Sequence, residues 1–183
     1  MHIEEQLCKR LKDILNGIFT EAGIEIEVDG NWIVDEFGGF KDVDSTGAGS
    51  KVYVKVMPRS YPEYTAKTAE MECRIEADFR QDDCPDGRKV NAAYAKLIGL
   101  LDLWHDDFEE MKKSLALDMS KSEVEVEQRN LTDSTVGLRA STSPTIFDPC
   151  GLRLSGGRWD RTSDPTGWSL DQSFTIKGRI KRQ

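Results

Sequence analysis

Between Met71 and Trp104 the spacing of apolar residues changes period, and that change constrains the fold more than any other feature of the chain. Met71, Cys73, Ile75, Ala77 and Phe79 alternate strictly with Glu72, Arg74, Glu76, Asp78 and Arg80. Period 2 is the pattern of a strand with one face on a core and the other in water. After the acidic turn Asp82-Asp83-Cys84-Pro85-Asp86-Gly87, the apolar residues Val90, Tyr94, Leu97, Leu101, Trp104 and Phe108 step by 3 and 4. That is one face of an amphipathic helix. A long antiparallel-type strand therefore feeds a helix that must pack on a sheet. Asp83 or Asp86 supplies the capping oxygen at the helix start.

The flanking segments extend the scheme. Ile3, Leu7, Leu11, Ile14 and Ile18 define an opening helix, with Glu4 and Glu5 at the end its dipole favours. Gly23, rather than Asn16-Gly17, is the expected C-cap. Ile24, Ile26 and Val28 read as a strand, joined by Asp29-Gly30 to a second short strand at Trp32-Ile33-Val34. Val52, Val54 and Val56 mark a strand stopped by Pro58. Val124 and Val126 open another, which Val136 and Leu138 continue, and Trp168 to Ile180 closes the chain as a long final strand. The expected fold class is α+β, an antiparallel or mixed β-sheet with two main helices packed on one face. Residues 1–183 are expected to form a single domain with long loops at about 35–50 and 142–167, the latter rich in Pro and Gly.

Composition excludes several function classes. With 33 acidic against 25 basic residues and a net charge of -8, most of the surface repels a phosphate backbone, so direct nucleic-acid binding is not expected. The exception in sign is the terminal run Lys177, Arg179, Lys181 and Arg182, which alternates with Ile176, Gly178 and Ile180 as the solvent face of a strand does. No apolar run approaches the ~20 residues of a membrane span, and the acidic N-terminus does not read as a signal peptide. Cys8, Cys73, Cys84 and Cys150 form no C-x-x-C pair. Free thiols, and a soluble protein made in a reducing cytoplasm, are expected.

Motifs that carry chemistry are incomplete. Gly47-Ala48-Gly49-Ser50-Lys51 imitates a phosphate loop, but Ser50 separates Lys51 from the last glycine and Val52 stands where a hydroxyl is needed. Asp42-Val43-Asp44-Ser45-Thr46-Gly47 opens like a calcium loop, yet Tyr53 holds the position of the closing carboxylate. His105 lies beside Asp106 and Asp107, but adjacent helical residues point apart. Ser155 misses the spacing of a nucleophile elbow, and nothing singles out a carboxylate pair. No catalytic residue, cofactor or metal ligand is assigned, and an enzyme is not expected. Trp159, in Gly156-Gly157-Arg158-Trp159-Asp160-Arg161, has two open readings: a partner-binding side chain, or one folded back against its own domain.

The order of elements resembles that of the tail terminator (tail completion) proteins of long-tailed bacteriophages. The likeness is one of layout, from the helix Ile3–Ile18 to the strand Trp168–Ile180. Its most suggestive parts are the strand Met71–Phe79, the Asp-Gly turn, and the helix Asn91–Trp104 with its Ala92-Ala93-Tyr94 start. The extended segment Thr142–Gly167 departs from the layout. The resemblance implies a structural protein, without catalytic residues, that forms a ring, usually a hexamer, on the head-proximal end of the tail tube. Such a ring stops tube polymerisation and joins the tube to the head connector. The implied partners are copies of itself, the tail tube protein and the head connector protein, with no membrane. The implied location is the virion tail, assembled in the bacterial host cytoplasm. The candidate partner interface comprises Arg158, Trp159, Arg161, Lys177, Arg179 and Lys181. A cytoplasmic protein- or peptide-binding α+β module, or an enzyme with an unrecognised site, is the alternative.

Overall fold

The period-2 segment forms the central strand of the sheet, and the strictness of its alternation explains why. The computed structural model describes residues 3–26, 28–31, 50–60, 68–82, 84–115, 145–163 and 166–182. Its elements in chain order are α1 (Ile3–Glu21), β1 (Val28–Asn31), β2 (Lys51–Val56), β3 (Thr68–Arg80), α2 (Gly87–Asp106), α3 (Phe108–Leu115), β4 (Thr145–Ser163) and β5 (Thr166–Arg182). The strands make one five-stranded mixed sheet in the order β1-β2-β3-β5-β4. β1 runs parallel to β2, and the other neighbours are antiparallel.

Residues opposite one another in a ladder share a face, so the register assigns every side chain to core or solvent. Val54 faces Ile75, Val52 faces Ala77, Cys73 faces Phe174 and Met71 faces Ile176. All eight are buried, in one cluster with the apolar faces of the helices. Along β3 the remaining positions, from Glu70 to Arg80, are half-buried or exposed. The fold is thus α+β in two layers, with the helices on one face of the sheet and charged residues on the other. Leu7, Leu11, Ile75, Phe79, Leu97, Leu101, Phe174 and Ile176 are all buried, as the periodicity requires.

The face of α1 differs in detail from its expected stripe. Ile3, Leu7, Leu11, Leu15 and Phe19 are buried, while Ile14 and Ile18 are only partly so. A step of 4 overshoots the 3.6-residue turn, so the buried line winds slowly around the helix and reaches Phe19. Phe19 meets Phe79 edge-on, with ring centroids 5.5 Å apart. Glu4, expected merely to face the dipole, is buried; its Oε1 accepts from Arg59 Nε at 2.6 Å and ties the first turn of α1 to the chain beyond β2.

α1 ends at Gly23 as expected. Gly23 has φ 72°, its N–H donates to Thr20 O, and Ile24 N–H donates to Phe19 O. This pair of bonds, with Ile24 packed in the same cluster as Phe19, is a Schellman cap. Ile24 and Ile26 consequently lie before the strand, which begins at Val28. Gly23→Ala is expected to lower stability by about 1–2 kcal/mol, because a Cβ strains the left-handed conformation. Urea denaturation measures this directly, and an unchanged midpoint would show that the cap contributes nothing.

Two expectations for the second half change, and the helix cap resolves to one of its two candidates. α2 is capped by Asp86, whose carboxylate accepts from Arg88 N–H, and it stops at Asp106. Phe108 therefore does not extend the α2 stripe. Asp107 is extended and starts α3 by accepting from the N–H groups of Glu109 and Glu110, so Phe108 lies exposed while Met111 and Leu115 turn inward. The loop expected over 142–167 is replaced from Thr145 onward by β4, paired with β5 from Thr145↔Arg182 to Ser163↔Thr166. β4 is the edge strand of the described sheet, where Pro and Gly are tolerated, and its register shifts at Pro149/Gly151 and Leu154/Gly156 absorb the irregular sequence. The strands expected at Trp32–Val34, Val124–Val126 and Val136–Leu138, and most of the 35–50 loop, fall outside the described residues.

Candidate interaction surface

The open face of the sheet inherits its chemistry from the polar half of each alternating strand. Lys55 Nζ lies 2.8 Å from Glu76 Oε2, and Arg74 Nε lies 3.0 Å from Glu76 Oε1. Arg74 also donates through Nε and Nη2 to the two carboxylate oxygens of Asp171, at 2.9 and 2.6 Å. This planar, two-bond recognition is what guanidinium geometry permits and ammonium geometry does not. Four charges on β2, β3 and β5 thus neutralise one another across three strands.

The Arg74 hydrogen bonds hold the Asp171 carboxyl below its usual range, and the same contact raises the Arg74 guanidinium. A carboxyl depressed on folding adds stability that is present above its unfolded value and is lost as pH falls through the folded one. Asp171 is 43% exposed, so the expected contribution is no more than about 1 kcal/mol. Asp171→Asn is expected to leave acid stability nearly unchanged and to reduce the neutral-pH value. An equal loss at every pH, in denaturation curves recorded between acid and neutral solution, would contradict this.

The structure divides the candidate interface residues into two groups. Arg158, Trp159 and Arg161 lie on β4 opposite Asp171, Leu170 and Trp168, near the turn into β5. Lys177, Arg179 and Lys181 lie on β5 opposite Gly151, Asp148 and Ile146, toward the other end of the ladder. Lys177 lies six residue steps along the strand from Asp171, roughly 20 Å at the rise of an extended chain. They do not form a single patch. Arg158 is exposed and holds Asp160 Oδ2 at 3.0 Å, while Arg161 is exposed and its N–H donates to Asp160 Oδ1 at 2.8 Å. Both bonds pull the Asp160 carboxyl below its ordinary range, the Arg158 contact first. Arg179 is exposed and Lys177 half-buried, and the side chains of Trp159 and Lys181 lie outside the description. Gly156 and Gly157, expected in a flexible loop, are strand residues, and the Gln172 amide crosses to donate to Gly156 O at 2.6 Å.

The motif fragments resolve into ordinary structure where they are described. Lys51 and Tyr53 belong to β2, opposite Asp78 and Glu76. His105 Nδ1 lies 3.2 Å from Oδ1 of its neighbour Asp106, with both side chains largely exposed. Cys8, Cys73 and Cys84 are buried free thiols, and Cys150 is a half-buried one. Burial pushes the Cys73 thiol far above its usual range, which keeps it protonated and unreactive. Among the described residues no group of three or more His, Cys, Asp or Glu is placed to hold a metal, and no helix is long and apolar enough to cross a membrane. An open cavity of about 330 Å³ lies between α1 and β1 and is lined by Lys9, Lys12 and Asp13 among others.

Sequence reasoning missed the exposed apolar residues of the helical layer and of β4. Leu103, Phe108 and Leu154 stand out of the core. The signal for Phe108 was present in Asp107, an N-cap residue followed two and three positions later by Glu109 and Glu110. No protein-family model matches the chain, and no curated protein matches it significantly.

Proposed function

We propose that this chain is a structural assembly protein of the tail terminator kind, a ring-forming subunit that caps a phage tail tube and joins it to the head connector. The observation that carries the reading is the sheet face that no described element covers. A two-layer domain with helices on one side leaves a broad surface of β2, β3, β5 and β4, set with exposed charges of both signs. Closed rings need two different, complementary surfaces on each subunit, and rows of alternating charge provide such complementarity without an apolar patch that would aggregate. The layout of α1, the long β3, α2 and the β4–β5 hairpin also agrees with the order of elements that the resemblance rests on.

In this role the subunits assemble on the tube in the bacterial cytoplasm and remain in the virion. Adding the purified protein to polymerising tail tube protein is expected to arrest elongation, and crosslinking on tubes is expected to yield a ladder ending at the ring. Reversing charge at Lys177 and Arg179 is expected to weaken that assembly, more so at low salt, where exposed charges are less screened. Tubes that grow to unrestricted length in the presence of the protein, with no subunit–subunit crosslinks on them, would eliminate the proposal.

A further inference from the structure

We draw no further inference here: the strongest candidate, the surface of the α2–α3 junction where Leu103 and Phe108 stand exposed beside the exposed acids Asp102, Asp106 and Asp107, carries nothing because nothing in the structure shows what covers it.

Discussion

Gly178→Ala is expected to destabilise the protein by about 2–3 kcal/mol, although alanine is the smallest side chain that can be added. Gly178 sits on β5 opposite Pro149, and the ring of Phe147 lies diagonally across it. A Cβ at Gly178 would stand 2.6 Å from Phe147 Cε1 and closer still to Cζ and Cε2. Phe147 is fully buried, so its ring has no solvent to swing into. The glycine is a socket, and the aromatic ring of the edge strand fills it. Phe147→Ala alone is expected to cost about 3–5 kcal/mol through the cavity it leaves. The two substitutions share one space, so the double variant is expected to cost clearly less than their sum. Additive losses in a denaturation cycle would show that ring and glycine do not oppose each other.

This pair also shows why half of the fold was legible and half was not. Strands β2 and β3 obey strict alternation because each is buried on one face, and β5 follows it with Gln172 and Gly178 as exceptions on its inner face. The core positions Ile75, Phe79, Phe174 and Ile176 follow at once. β4 has no such obligation. Its pairing partner is already specified, and only one of its edges is bonded within the described sheet. Pro149, the bulges and the three glycines Gly151, Gly156 and Gly157 are therefore permitted, and the segment reads as a loop. The missed helix α3 has a different origin. Its first residue, Phe108, continues the spacing of α2 numerically, yet Asp107 is extended at φ -130° and restarts the helix in a new direction. Spacing alone does not register a one-residue break. Arg158, Arg161, Lys177 and Arg179 were legible as surface residues, but their separation into two groups depends on the β4–β5 register, which a sequence read as a loop does not carry.

Trp104 anchors the helical layer in the core, and Trp104→Ala is expected to cost about 3–5 kcal/mol, as much as Phe147→Ala. Trp104 is the largest fully buried side chain, in the same cluster as Met111 and Leu115 of α3 and Phe147 of β4. For a chain of this size each kcal/mol moves the melting midpoint by about 2–4 °C, so a fall of roughly 10 °C is expected. Trp104→Phe separates packing from polarity. The indole Nε1 has no hydrogen-bond partner among the described residues, and a buried donor left unpaired costs about 1–3 kcal/mol. Phenylalanine removes that penalty while giving up part of the volume, so its net cost is expected within about 1 kcal/mol. Equal losses for both variants would mean that Nε1 is satisfied after all.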